Sequence, residues 1–284
     1  TPGKVLVPGK LLAEISRSLP NKPVTIQLDG TRVLVNAGSA KFTLPVLPIQ
    51  EYPNLPEMPE ALGTIDADLF NQAVAQVSTA AGKDDSLPSL TGVHVEVNGE
   101  NITMAATDRY RLAVRELSFN PARPNTEAVA LIRARTLHDA AKTLATANNV
   151  NIALAPASSN DRLAGFQTES KSTTTRLLDG TFPPYRHLLP QESLTTTVIE
   201  VAPFLEAVRR VALVTDKTIP LKLTFTGNSV TLEAGGGDEA QANEVFEISK
   251  TGEDLSIAFN PNYLLDGLHA ISAPYAQISF NTAS

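Results

Sequence analysis

Histidines are the first residues to test for chemistry, because an imidazole can hold a metal or move a proton near neutral pH. There are four, His94, His138, His187 and His269, and no two stand at a metal-ligand spacing. His94 alternates with Val93 and Val95 and so belongs on the solvent side of a strand. No phosphate loop of the G-x-x-x-x-G-K type occurs, which argues against ATP hydrolysis. Gly235-Gly236-Gly237 lacks the strand–turn–helix setting of a phosphate cradle and suits a hairpin tip. No serine lies in a nucleophile elbow. Asp84-Asp85 could hold a cation, or could be a solvated pair in a helix-to-strand loop. Cysteine is absent, which excludes thiolate zinc sites, disulfides and a Cys nucleophile. The expectation is a protein with no catalytic residue, no metal site and no cofactor.

Cations at helical spacing recur instead. Lys10, Glu14 and Arg17 form one stripe, and Gln72, Gln76, Thr79 and Lys83 a second. Arg133, Arg135, His138 and Lys142 form a third, and Arg209, Arg210 and Lys217 a fourth. Such stripes are either ordinary solvated helix faces or the lining of a positive channel for a phosphate backbone. The formal charge of −7 opposes nucleic-acid binding unless the cations are segregated. The acids fall mostly in turns, as at Asp84-Asp85, Asp238-Glu239 and Glu253-Asp254. No aromatic residues interleave with the cations and no base-reading motif occurs, so any contact would be with duplex DNA and independent of sequence. The DNA-facing candidates are Lys10, Arg17, Lys83, Arg135, Lys142, Arg209, Arg210 and Lys217.

The elements that must carry these residues form an internal repeat. With 284 residues, 42% hydrophobic and 19% charged, two or three ordinary domains are expected. Trp is absent and aromatics are 5%, so the core must come from Val, Leu, Ile and Ala. No apolar run reaches the ~20 residues of a membrane span, and no charged-then-apolar signal segment opens the chain; the absence of cysteine fits a cytoplasmic protein. The repeated unit is strand, amphipathic helix, then alternating strands joined by turns. Its first copy runs from Val5-Leu6-Val7 through a helix with Leu11, Leu12, Ile15 and Leu19 inward, then three strands turning at Asp29-Gly30. The second starts at Thr64-Ile65, with Leu69, Phe70, Ala73, Val74 and Val77 facing a core and a turn at Asn98-Gly99. The third runs from Ala128 to Leu178, the fourth starts at Thr197, and the fifth at Leu255. Leu69 and Phe204, 135 residues apart (204 − 69), are taken as equivalent helix openers. The fold class is α+β, built of βαβββ units with helices on one side and sheets on the other.

Two segments carry a resemblance. Ala106-Thr107-Asp108-Arg109-Tyr110-Arg111-Leu112-Ala113-Val114 resembles the signature of the bacterial DNA polymerase III β subunit, the sliding clamps, with an actinobacterial flavour. Leu178-Asp179-Gly180-Thr181-Phe182-Pro183-Pro184-Tyr185-Arg186 resembles the end of that family's middle domain. The resemblance implies a DNA-clamp fold: a head-to-tail homodimeric ring around double-stranded DNA, helices inside, tethering a polymerase and catalysing nothing. The Pro-rich segments 51–56 and 182–190 read as connectors, which places a half domain at 1–60, a full domain at 61–190 and a nearly complete one at 191–284; the resemblance makes these the C-terminal half of a first clamp domain, a second, and a third lacking its last strands. The implied partners are the replicative polymerase, the clamp loader and repair polymerases, through short linear motifs, with no membrane.

The resemblance also implies a partner-peptide pocket of Leu90, Thr107, Tyr110, Arg111, Leu112, Pro183, His187 and Leu188. Leu90, Leu112, Pro183 and Leu188 would give an apolar floor, and Arg111 and His187 a polar rim. On the residues alone, Leu112 and Leu188 could equally be core and Arg111 a surface ion-pair partner. Arg109-Tyr110 replaces the family's common Gly-His, and His187 stands where Arg is frequent, so peptide preference can differ. The implied subunit interface places Lys41 and Phe42 of an edge strand near Glu239 or Glu244. A repeat-built interaction module without DNA, and an enzyme, are the alternatives.

Overall fold

The computed structural model describes residues 3–155, 162–215, 219–235 and 240–281. The chain divides into two compact units, Thr1–Glu57 and Met58–Ser284.

In the first unit, helix α1 (Gly9–Ser18) covers a three-stranded antiparallel sheet of Val24–Asp29, Arg32–Ala37 and Ala40–Pro45. Ile15 packs with Val33, Val35 and Leu44 in a small core. Asp29 pairs with Arg32 across Gly30, whose φ of +55° favours a residue without a side chain. Two expectations fail. Val5-Leu6-Val7 makes only a single bridge, Leu6 to Leu47. Leu11 is exposed rather than inward, because a ten-residue helix over three short strands buries only a narrow stripe.

The second unit repeats one plan twice. Its first half opens with strand Ala61–Asp66 and α2 (Ala67–Ser78). Strands Gly92–Asn98, Asn101–Thr107, Leu112–Ser118 and Glu127–Arg133 follow, then α3 (Ala134–Leu144) and strands Asn149–Leu154, Leu163–Gln167 and Ser172–Arg176. Its second half has strand Thr195–Glu200, α4 (Val201–Val211), strands Leu221–Thr226, Ser229–Ala234 and Ala242–Glu247, strand Leu255–Phe259, α5 (Pro261–Ala270) and strand Tyr275–Phe280. Every named pairing is antiparallel. The α+β class with stacked sheets and helices holds.

Local chemistry explains the helix starts. Asp66 caps α2 by accepting a hydrogen bond from the Leu69 amide at 2.9 Å. Asn260 does the same for Asn262 at 2.9 Å, with Pro261 in the first turn of α5. On α2, Phe70, Ala73, Val74 and Val77 are buried at the i, i+3, i+4, i+7 spacing. Four of the five residues expected inward are therefore buried; the fifth, Leu69, is 42% exposed, so its expected equivalence with Phe204 was one residue out. The structure matches Ala67 with Val201 and Phe70 with Phe204, an offset of 134 (201 − 67 and 204 − 70). One residue turns a helix by about 100°, enough to carry Leu69 from core to solvent.

Each half has its own core, one built on Phe70 and Phe166, whose ring centroids lie 5.6 Å apart, the other on Phe204 and Phe225. The helices form one row: α3 packs on α2, α2 touches α5, and α5 packs on α4. Across the middle of this row, Gln76 Nε2 donates to the Ala270 carbonyl and Gln72 Nε2 to Ser272 Oγ, each at 2.8 Å. The glutamines expected on a solvated stripe therefore join the two halves.

Candidate functional site: a cationic helix row and an interdomain cleft

The helix row carries the expected cations in two electrostatic states. On α3, Arg135 and Lys142 are exposed and have no ion-pair partner among the described residues, and Lys83 beyond α2 is the same. Arg133, beside them, pairs with Asp85 at 2.7 Å. On α4, Arg209 pairs with Glu206 and also meets His269 Nε2 at 2.8 Å. The Leu265 carbonyl takes His269 Nδ1 at 2.8 Å, which leaves Nε2 to accept from Arg209. Arg210 grips Glu244 with two nitrogens, Nε at 3.0 Å and Nη2 on the other oxygen. The hydrogen bond from Arg210 holds the Glu244 carboxyl below its ordinary range. Lys10 and Arg17 are both exposed on α1, seven residues apart and so on one face. Lys217 lies outside the described residues, as do Glu239 and most of the Gly235-Gly236-Gly237 run.

The acidic pair is committed within the protein. Asp84 Oδ1 accepts from the Ser86 amide at 2.9 Å, and the Ser86 hydrogen bonds lower its pKa; Asp85 is taken by Arg133. Among the described residues no group of three or more His, Asp or Glu could hold a metal ion. No helix there is long and apolar enough to cross a membrane.

The pocket candidates begin at a tight turn. Thr107 and Leu112 pair across it. Thr107 Oγ1 donates to the Arg111 carbonyl at 2.6 Å, and Asp108 Oδ1 accepts from the amides of Tyr110 and Arg111 at 3.0 and 3.1 Å. Arg109 sits inside this turn at φ +83°, a region that disfavours a side chain. Tyr110 is 74% exposed and its ring lies 6.4 Å from that of Tyr263 on α5. Arg111 reaches across to α5 as well: Nη1 meets Asp266 Oδ2 at 2.6 Å, while Nε meets Asp108 Oδ2 at 3.0 Å. Its guanidinium lies 4.5 Å from the centre of the Tyr263 ring. Burial opposes the Arg111 charge, and the bonds to Asp266 and Asp108 overcome that, so its pKa stands above the ordinary value.

Behind the turn, Leu112 packs on a cluster of Ala105, Leu131, Phe182 and Tyr185. This cluster ties the connector to the outer face of the four-stranded sheet. Arg186 pairs with Glu96 at 2.9 Å, and Phe182 stacks on His94 with centroids 5.1 Å apart. His94 is therefore half-buried beneath the connector rather than exposed as its strand position suggested, and burial pushes its pKa down, partly offset by Glu96. Leu90 is buried at the end of a short turn, with Gly180 beside its neighbour Ser89. Pro183 and His187 are exposed, and Leu188 is 64% exposed.

A cleft of about 850 Å³ separates the two halves, lined by Arg111, Leu112 and Val114 on one side and Tyr263, Gly267 and Ile271 on the other. Of the eight expected pocket residues Arg111 and Leu112 line this cleft; Tyr263 of α5, which the sequence did not single out, lines it too, while Asp266 touches Arg111 without lining it. Phe42 packs partly into the small core of the first unit while Lys41 is exposed on the edge strand Ala40–Pro45. Glu244 lies on Ala242–Glu247, also an edge strand.

Twinned sheet-and-helix halves with cations toward both ends of one helix row are what a DNA clamp would be expected to show. The DNA polymerase III beta subunit models match end to end: the N-terminal domain over residues 1–56, the central domain over 64–184, and the C-terminal domain over 186–284. The beta sliding clamp of Streptomyces coelicolor is 52% identical over 282 residues, which is 99% of this chain and 75% of that one. The solved beta subunit of Streptococcus pyogenes DNA polymerase superposes with a TM-score of 0.91 at 26% identity, over 100% of this chain and 76% of that one. A Pseudomonas aeruginosa sliding clamp bound to griselimycin gives 0.89 at 27%, over 100% and 77%. The chain belongs to the DNA polymerase III β subunit family, the bacterial sliding clamps. It is a processivity factor of replication and an accessory subunit, not a catalyst.

Proposed function

We propose that the protein encircles double-stranded DNA as a homodimeric ring, with the helix row facing the phosphates. The observation that carries this reading is the set of cations without an ion-pair partner among the described residues, Lys83, Arg135 and Lys142, at one end of that row. Contacts of this kind are sequence-independent, and they reconcile DNA binding with a net charge of −7. Arg209 and Arg210 are shared between phosphate and their own glutamates. Lys10, Arg17 and Lys217 are the remaining DNA-facing candidates. In this reading residues 1–60, 61–190 and 191–284 are three clamp domains.

The subunit contact would join the edge strand carrying Lys41 and Phe42 to the edge strand carrying Glu244; Glu239, the other candidate, lies outside the described residues. Two antiparallel edges with unpaired backbone groups are chemically suited to continue one another. Val245, 62% exposed on the same strand, and Leu213, 82% exposed just beyond α4, would supply apolar surface.

Partners, among them the replicative polymerase, the clamp loader and repair polymerases, would dock short peptides at Leu90, Thr107, Tyr110, Arg111, Leu112, Pro183, His187 and Leu188. The exposed apolar Leu188 and the cleft beside Arg111 and Leu112 support this, and the griselimycin-bound relative supports a ligand pocket on the fold. To test the ring, load the protein with a clamp loader onto nicked circular DNA, wash at high salt, then linearise. Retention on the circle and loss from the linear form is expected, because salt removes charge contacts but not encirclement. Loss during the wash would overturn the ring.

A further inference from the structure

Arg111 is held on three sides before any partner arrives. Asp108, from its own turn, takes Nε at 3.0 Å. Asp266, 155 residues later on α5, takes Nη1 at 2.6 Å. Tyr263, also on α5, lies under the guanidinium plane at 4.5 Å. A guanidinium has five N–H donors in a rigid fork. With Nε and Nη1 engaged, the Nη2 group is the part of the fork with no hydrogen bond among the described residues. It belongs to a residue that lines the 850 Å³ cleft next to Leu112. The side chain as a whole is only 17% exposed.

We propose that Asp266 is a positioning residue for partner binding: acting through Arg111, it aims the free Nη2 donors at a backbone carbonyl of a bound peptide. The proposal rests on the reading of Tyr110, Arg111 and Leu112 as pocket residues. The physical reason is pre-organisation. An untethered arginine must give up rotamer freedom when it donates, whereas one clamped by two carboxylates and an aromatic face has already done so. Asp266 needs no contact with the ligand, and its side chain, 46% exposed, carries little of either core.

Griselimycin is the probe, since a relative of this fold has been solved with it bound. Binding is measured by titration calorimetry on the intact protein, with the thermal midpoint read in parallel. Leu188→Ser, at an exposed position outside both cores, tests the pocket reading alone. Asp266→Asn is expected to weaken griselimycin about tenfold with the thermal midpoint unchanged, because a charge-assisted hydrogen bond is worth roughly that factor. Asp266→Glu should recover most of the loss. With Arg111→Ala already in place, adding Asp266→Asn should change nothing further, a dependence that a merely structural role would not produce. If Leu188→Ser weakens griselimycin but Asp266→Asn leaves it intact, the positioning role is wrong and the pocket stands. If neither variant alters binding, or the wild type does not bind, the pocket reading fails and the proposal with it.

Discussion

The two halves of Met58–Ser284 share an architecture and differ in what their charges do. Matching helix positions bury matching residues, Phe70 with Phe204 and Val77 with Val211. Yet α3 and the segment after α2 leave Lys83, Arg135 and Lys142 unpaired among the described residues, while Arg209 and Arg210 of α4 are bound to Glu206 and Glu244. A free surface cation meets a phosphate by releasing counterions; a paired one must first give up its carboxylate. One fold can therefore present a strong and a weak stretch of DNA-facing surface. Its outer sheets differ too. The first half's four-stranded sheet is covered by the connector through Phe182 and Tyr185, whereas the second half's edge strand leaves Val245 exposed.

The equivalence of the halves is broken hardest in the cores. Phe70→Ala and Phe204→Ala should each cost about 3–5 kcal/mol in urea unfolding, while Leu69→Ala should cost less than ~1 kcal/mol. A large loss at Leu69 with a small one at Phe70 would restore the 135-residue register and undo the matching. The Thr107–Leu112 turn has an Arg where the backbone is left-handed. Arg109→Gly should be more stable than Arg109→Ala by about 0.5–1 kcal/mol, since both lose the side chain and only glycine relieves the strain. Equal stabilities would mean φ at Arg109 is not strained.

The smallest expected effect concerns the connector over His94. Burial lowers the pKa of the folded imidazole, so the unfolded chain takes up its proton first on acidification. Stability is unaffected above about pH 6.5 and falls as pH drops from there toward the folded value. His94→Gln should flatten that part of the stability profile, below about pH 6.5. A profile unchanged by the substitution would mean the stack on Phe182 does not desolvate the ring.

Short-range patterns were legible and long-range meetings were not. The Gly30, Gly99 and Gly227 turns and the alternating strands follow from neighbours in the chain, and so did the repeated unit. The match of Leu69 to Phe204 failed because Leu69 and Phe70 are both apolar, and only packing decides which of them faces inward. His94 alternates like a surface residue, and only a connector 88 positions later (182 − 94) covers it. The cations could be located from their helical spacing, but nothing local reveals that Glu244, 34 residues on, takes Arg210. Nor does spacing show that Arg111 belongs as much to α5 as to its own turn.

The central claim, that free cations on α3 outweigh paired ones on α4 in meeting DNA, is tested by the salt dependence of binding to a short duplex. For Arg135→Ala/Lys142→Ala the slope of log affinity against log salt should shrink by about 2, at roughly 0.9 for each phosphate no longer neutralised. For Arg209→Ala/Arg210→Ala it should shrink by less than about 1. Equal reductions in slope, or a larger one on α4, would contradict the account.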